Sequence, residues 1–211
     1  MTKWGVVIDL EQCIGCHSCS IVCKQVHGPD SKWRVVHDLG LLPDARGLRL
    51  SLPMSCMHCA NPPCVEVCPT TASYQRPDGI VALDYEKCIG CGYCIMACPY
   101  DARVLSALGK VTTRSASENV GAAEIATKCT LCAPKLDEGL AAGHQPGVDP
   151  EATPDCIVTC SAKAMTFGDL NDPSSAVSML LKRRNHLRIL EELRTSPSIH
   201  ILPPNGDLES R

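Results

Sequence analysis

The apolar positions of this chain fall mostly in short runs. Residues 5–10 (GVVIDL) and 79–84 (GIVALD) are strand-length, rich in Val, Ile and Leu, and each leads into a cysteine-bearing loop. They predict two short β-strands. SIVCKQV (20–26) and IMACPY (95–100) predict short helices, the second stopped by Pro99. The longest periodic pattern covers residues 174–194, where Val177, Leu180, Leu181, Leu187, Leu190 and Leu193 recur at helical spacing. Ser174 or Ser175 would cap that helix, and core packing is its expected role. Gly15 and Gly90 sit where a loop must bend around a ligand. No apolar run is long enough to span a bilayer.

Composition changes the picture. Among 211 residues there are 16 Cys against 2 Trp, 4 Tyr and 1 Phe. A core so poor in rings draws stability from disulfides, metals or partners. The net charge of −3 suggests neither nucleic acid nor an anionic membrane surface as partner. The start, MTKWGVVIDLEQC, shows no signal-peptide core and no twin arginine. A cytoplasmic location is expected, with membrane association through a partner; the alternative is a periplasmic protein exported folded with a signal-bearing partner.

The cysteines fall into four groups of four with none left over: Cys13, Cys16, Cys19 and Cys23; Cys56, Cys59, Cys64 and Cys68; Cys88, Cys91, Cys94 and Cys98; Cys129, Cys132, Cys156 and Cys160. The pattern repeats internally. IDLEQCIGC at 8–16 matches LDYEKCIGC at 83–91, an offset of 75, and group two matches group four at an offset of 73 from Cys56 to Cys129. Two halves are expected, residues 1–55 with 129–170 and residues 56–128, followed by a C-terminal helix and tail over 171–211.

Eight disulfides would fit a secreted chain, but sulfurs three residues apart converge on a point and do not pair with distant segments. Structural zinc takes four thiolates, usually from two C-x2-C knuckles. Groups two and four could be drawn into that pattern. Groups one and three offer three thiolates on one loop and a fourth a helical turn later, which suits separate irons of a cubane. Group three, C-x2-C-x2-C-x3-C-P, is the run found in bacterial two-cluster ferredoxins, whose fourth cysteine ligates the neighbouring cluster. Sixteen thiolates fill four [4Fe–4S] clusters.

With the cysteines stand KCTLCAPKLDEG (128–139), FGDLNDPSS (167–175) and RTSPSIHILP (194–203). On these motifs the chain resembles the four-cluster electron-transfer (beta) subunit of molybdopterin oxidoreductases, the family of DMSO, polysulfide, thiosulfate and nitrate reductases and formate dehydrogenases. The 23-residue gap between Cys132 and Cys156 is similar to an insertion in relatives acting on phenylacetyl-CoA-type substrates. The resemblance implies an α+β fold of duplicated two-cluster ferredoxin-like halves with loop insertions and a C-terminal helix. It also implies four ligand sets: Cys13, Cys16, Cys19 and Cys160; Cys23, Cys129, Cys132 and Cys156; Cys56, Cys59, Cys64 and Cys98; and Cys68, Cys88, Cys91 and Cys94. All four cysteines of group three are present, so four cubanes are expected and no [3Fe–4S] centre. Lys24 and Ser161 stand where ferredoxins prefer proline, which questions the local loop geometry. The 133–155 insertion is read as a solvated loop, with a partner-binding arm as the alternative.

The implied function is a relay of single electrons between a large Mo/W-bis-pterin catalytic subunit and a quinone-reactive membrane subunit or soluble carrier, with no catalytic residues in this chain. The alternative is a free-standing polyferredoxin-type carrier. No GxGxxG or Walker loop is present. His17 and His58 lie inside ligand loops; they could tune or replace a ligand, with a supporting or surface role the expected one. Lys87, Lys128 and Lys135 beside the loops could offset cluster charge. Lys182, Arg183, Arg184 and Arg188 are expected to form a solvated face, with docking on an acidic partner as the alternative.

Overall fold

The computed structural model describes residues 1–29, 31–42, 47–107 and 124–204. Along the chain run β1 (Trp4–Asp9), α1 (Ser18–His27), β2 (Val35–Leu41), β3 (Arg49–Met54), α2 (Pro63–Glu66), β4 (Ser73–Gln75), β5 (Val81–Leu83) and α3 (Tyr93–Met96). Then follow β6 (Val104–Ala107), β7 (Glu124–Thr127), α4 (Ala133–Ala141), α5 (Asp155–Val158), β8 (Met165–Asp169), α6 (Ala176–Arg183) and β9 (Ile199–Leu202). Short helices and small sheets of this kind are compatible with a ferredoxin-like 4Fe-4S fold. Residues 108–123 of the expected second half, and 205–211 of the tail, lie outside the described residues.

β1 is the centre of a three-stranded sheet, antiparallel to β8 and parallel to β9. Its residues are all buried because both faces are covered, and the strand alternation divides them. Trp4, Val6 and Ile8 join Phe167, Ile199, Ile201, Leu131 and Leu136 in the main core, while Val7 meets Val177 of α6 and Leu202. Trp4 stacks on Phe167, the only Phe, with ring centroids 5.3 Å apart. Cys19, Cys59, Cys156 and Cys160 are buried members of the same core, so the apolar interior and the thiol loops are one body. Three antiparallel hairpins complete the sheets: β2–β3, β4–β5 and β6–β7.

The expected helix over 174–194 is shorter in the structure. Ser175 caps it, its side chain accepting from Ser178 N–H, and the helix ends at Arg183. Arg184 turns to extended backbone and its guanidinium pairs with Asp9, 3.1 Å from the Pro203 carbonyl. Leu187 then exchanges two backbone hydrogen bonds with Ile201, each 2.9 Å. Pairing with β9 has displaced the helical continuation that the leucine spacing suggested. The basic stretch is used internally as well: Lys182 donates to the Pro173 carbonyl and Arg188 lies 3.8 Å from Glu191, while Arg183 is exposed.

The 133–155 insertion is neither a loop nor a free arm. It forms α4 and a 3-10 turn at Pro150–Ala152 folded back upon it. A Cβ on Gly139 would stand 2.7 Å from that of Ala152, so glycine permits the close approach. Arg76, beside the β4–β5 hairpin, holds the outer side of α4 through Asp137 at 2.6 Å. Gly147 pins the far end: its φ is +82°, its N–H donates to Thr153 Oγ1 at 2.8 Å, and any Cβ would run into the Phe167 carbonyl. Gly147→Ala should therefore destabilise the protein by at least about 1–2 kcal/mol from backbone handedness alone. Anaerobic thermal unfolding of the iron-loaded protein checks this, and an unchanged midpoint would contradict it.

Candidate metal centres

Each cysteine group opens with C-x2-C, and all four loops share one backbone feature. The residue before the second cysteine has positive φ: Gly15 66°, His58 43°, Gly90 69° and Leu131 53°. This bend directs main-chain N–H groups at sulfur. Leu131 N–H donates to Cys129 Sγ at 3.5 Å, and the Gly15 N–H acts the same way on Cys13. Such N–H concavities stabilise anions. Glycine makes the bend legible in groups one and three; in groups two and four non-glycine residues adopt it. At Gly90 a Cβ would collide with the Glu124 carbonyl, and at Gly15 it would stand 2.6 Å from Ser51 Oγ.

The last cysteines of groups two, three and four share a turn. N–H groups of Thr71, Asp101 and Lys163, at φ 55°, 49° and 53°, donate to the carbonyls of Cys68, Cys98 and Cys160 at 3.2, 3.4 and 3.1 Å. Pro69 and Pro99 occupy two of these turns and Ser161 the third, so the turn forms without proline. In group one Cys23 lies within α1, and Lys24 carries the helix on to His27.

These loops bring sulfurs from distant segments together. One cavity is lined by Cys13, Cys16, Cys19 and Cys160, and another by Cys56, Cys59, Cys64 and Cys98. Burial, then the charges of Cys129 and Cys156, push the Cys23 thiol up to about 12. Cys132 is pushed well up by burial and by Cys156 and Cys129. Burial raises Cys94, Arg103 lowers it, and Cys88 and Cys68 raise it further. Cys91 is exposed on the same loop. We number the ligand sets that the resemblance implies as candidate first (13/16/19/160), second (23/129/132/156), third (56/59/64/98) and fourth (68/88/91/94) sites.

The sites also have neighbours. Cys19 feels the charge of Cys156, Cys129 feels Cys56, and Cys64 packs with Cys94 around Val81 and Ala126. These contacts link the first set to the second, the second to the third and the third to the fourth. The two exposed cysteines are Cys16, in the first set, and Cys91, in the fourth.

Buried thiols crowded this way repel one another as thiolates unless a cation lies among them. Among the described residues no three His, Cys, Asp or Glu side chains close around one point as a single metal ion requires. In the first and third sets the sulfurs instead surround a small cavity, an arrangement that suits ligands to separate irons of one cluster. The donor set and these cavities therefore fit [4Fe–4S] clusters.

Several neighbours were not foreseen. Arg34 is buried and donates from Nη2 to Cys156 Sγ at 3.4 Å and from Nη1 to the Pro53 carbonyl at 3.2 Å. Arg103 is buried and donates to Cys64 Sγ at 3.0 Å and Ser73 Oγ at 2.7 Å. Each arginine opens a strand, as RVV before β2 and RVL before β6, with no charge pattern to mark it. His27 Nε2 lies 3.7 Å from Cys132 Sγ, and its ring packs on Trp33 at 4.6 Å. Its position four residues after Cys23, one helical turn on, was the available signal.

The foreseen residues divide. Lys128 is fully buried, its ammonium donating to the Cys129 carbonyl at 2.8 Å and to that of Val81. Burial pushes it down, while the thiols of Cys56, Cys129 and Cys64 pull it up and Arg103 opposes them. Lys135 pairs with Asp155 at 2.6 Å, whose other oxygen is 3.8 Å from Cys132 Sγ. Lys87 pairs with Asp84 at 3.0 Å and is mostly exposed. His17 is exposed at the N-terminus of α1. His58 is fully buried, and its Nδ1 accepts from Val81 N–H at 3.1 Å, tying the group-two loop to β5. Burial and the charges of Lys128, Arg103 and Arg34 hold it neutral. The closing motif covers that same loop. Ala60 and Asn61 N–H donate to the carbonyls of Ser196 and Thr195, and Ser198 N–H to that of Met57.

The Gly90 bend generates a local prediction. Gly90→Ala should cost the protein the iron of the site served by Cys88 and Cys91, measured as iron and acid-labile sulfide per chain; full iron content would count against the geometry.

Residues 49–170, which hold groups two to four, match the 4Fe-4S dicluster domain. The chain is 37% identical to the B subunit of sulfite dehydrogenase from Allochromatium vinosum, covering 96% of this chain and 84% of that one. It is 37% identical to the B subunit of polysulfide reductase from Wolinella succinogenes (99% and 98%). With the B subunit of tetrathionate reductase from Salmonella typhimurium the identity is 34% (95% and 72%). Subunit names, donor set and loop geometry agree, and the protein belongs to the 4Fe-4S dicluster family of molybdopterin oxidoreductase beta subunits, iron–sulfur electron-transfer chains with multiple [4Fe–4S] clusters and no catalytic role of their own.

Proposed function

We propose that the first to fourth sites each hold one [4Fe–4S] cluster on the four cysteines numbered above. When bound, such clusters supply one-electron redox chemistry whose potential follows net charge, hydrogen bonds to sulfur and exposure. What supports the reading is the succession of thiol neighbours, Cys19 with Cys156, Cys129 with Cys56 and Cys64 with Cys94, together with exposed cysteine only at Cys16 and Cys91. Tunnelling falls steeply with distance, so a row of this kind conducts between partners docked at either end. The partners are a large Mo/W-bis-pterin catalytic subunit at one end and a quinone-reactive membrane subunit or soluble carrier at the other. Among the described residues no helix is long and apolar enough to cross a membrane.

The order of elements supports a duplicated origin. A strand (β1 or β5) leads to a tight group, then a helix, an arginine, a hairpin (β2–β3 or β6–β7), a split group and a closing strand (β4 or β8). β8 pairs with β1, and β4 pairs with β5, both antiparallel. Ligand sharing then defines the two functional halves, residues 1–55 with 129–170 and residues 56–128. The chain's residues hold and insulate the sites: N–H groups of Leu131 and Ser73 donate to Cys129 and Cys68 sulfur, lowering the negative charge that each thiolate presents.

Three outcomes check this reading. Purification without air should give a brown complex with a large pterin-containing subunit and four cubanes' worth of iron and sulfide per chain; a monomer eluting alone with all its iron would favour the free carrier. Cys160→Ser should remove or convert the cluster that Cys13, Cys16 and Cys19 hold, and Cys98→Ser that of Cys56, Cys59 and Cys64. Altered EPR signals assigned to Cys129 and Cys88 sites respectively would overturn the pairing. Iron removal should abolish cooperative structure, because the thiol loops belong to the core; native-like melting of the apo-protein by far-UV CD would refute that.

A further inference from the structure

The four sites leave three junctions, and each junction holds one buried cation. Arg34, 4% exposed, stands between the first and second sites: it donates to Cys156 Sγ at 3.4 Å, and its charge falls on Cys129 and Cys19 as well. Arg103, 2% exposed, stands between the third and fourth: it donates to Cys64 Sγ at 3.0 Å, and its charge also falls on Cys56 and Cys94. Lys128, 1% exposed, serves the middle junction: its ammonium donates to the carbonyl of Cys129 of the second site at 2.8 Å, and its charge falls on Cys56 and Cys64 of the third. Among the described residues none of the three has a carboxylate partner; their anionic neighbours are thiols.

The placement follows the internal repeat. Arg34 and Arg103 each precede the first strand of a hairpin that runs into a C-x2-C loop, and each reaches the third cysteine of a split group. Lys128 directly precedes Cys129. The matching residue before Cys56 is Ser55, also buried, whose hydroxyl has no partner among the described residues. The middle junction thus receives one long cation from one side and a small residue from the other. Among the described residues Arg34 Nε and Arg103 Nη1 are buried donors without an acceptor. Buried donors call for an acceptor, and cluster sulfur is one.

We infer that Arg34, Lys128 and Arg103 are shared countercharges, each setting the potentials of the two clusters that flank it. This rests on the four-site relay proposed above. Reduction adds one electron's charge to a cluster, and a nearby buried cation favours that form. A cation between two clusters acts on both, so it raises both potentials without opening a step between them. Three such cations keep adjacent members of the row within reach of one another. A residue that only packed the junction would leave potentials unmoved.

The test uses the intact complex. Arg34→Gln, Lys128→Gln and Arg103→Gln are compared with the charge-keeping Arg34→Lys and Arg103→Lys by EPR-monitored redox titration, with iron and sulfide counted on the same samples. Each Gln variant should lower the potentials of its flanking pair by a tenfold or larger change in the oxidised-to-reduced ratio, about 59 mV for one electron. The two remote clusters should stay near their native values, the Lys variants should stay near native throughout, and the affected pair should step along the row from Arg34 to Lys128 to Arg103. Full-iron Gln variants with all four potentials unmoved, or all moved together, would overturn the inference. If a Gln variant at either arginine loses iron, its Lys counterpart decides. Retained iron with near-native potentials supports a charge role, and loss of iron there too shows that shape was needed and sinks it. A wild-type complex with a different number of clusters would instead strike at the four-site reading.

Discussion

Everything in this molecule answers to one electrostatic constraint: buried thiolates repel, and they can be gathered only where opposing charge and N–H groups are gathered with them. Burial, with the charges of neighbouring thiols, pushes Cys23 and Cys59 up to about 12. The opposing elements are local and repeated. A left-handed bend precedes the second cysteine of each group, in groups one and four it aims an N–H at sulfur, and buried guanidinium and ammonium groups lie beside the thiol loops. The iron of the [4Fe–4S] clusters supplies the remaining positive charge.

The same constraint explains the sparse conventional core. Short helices of four residues, α2, α3 and α5, would have no independent stability. Each carries a buried cysteine, so its packing is inseparable from the site that it serves. Around these loops the large structural commitments are few. β1 is covered on both faces, Phe167 stacks on Trp4, and the insertion folds back through Gly139 and Gly147. The closing segment fastens the group-two loop through backbone hydrogen bonds from Ala60, Asn61 and Ser198, and the turn after Cys98 through a hydrogen bond between the Tyr100 hydroxyl and Thr195 Oγ1 at 2.5 Å. Residues 195–198 are therefore part of the scaffold that holds the loops of Cys59 and Cys98.

For a relay, rigidity of this sort matters more than any pocket. Distances between sites set the rate, and the charges at the junctions set the energy of each step. Both are held here by buried side chains attached to hairpins and not by exposed loops. Exposed cysteine is confined to Cys16 and Cys91, and in the proposed relay those two loops are where partners would meet the chain.

Cysteine spacing, the two glycines of C-I-G-C and the offset repeat determine by themselves the chemistry, the number of thiol groups and the strands that lead into the tight loops. Those features are local: a sulfur must be covalently within reach of its neighbour, and a positive φ favours glycine. The leucine spacing after residue 174 was equally visible, yet only its first half became helix, because the Leu187 backbone found β9. What the tertiary structure decided lies across long separations. It brought Cys160 beside Cys13, gave Leu131 and His58 the same bend as glycine, packed the insertion, and drew Arg34, Lys128 and Arg103 to the junctions. A buried cation owes its partners to the fold around it, and a lone arginine ahead of a strand carries no local mark of where its charge will lie.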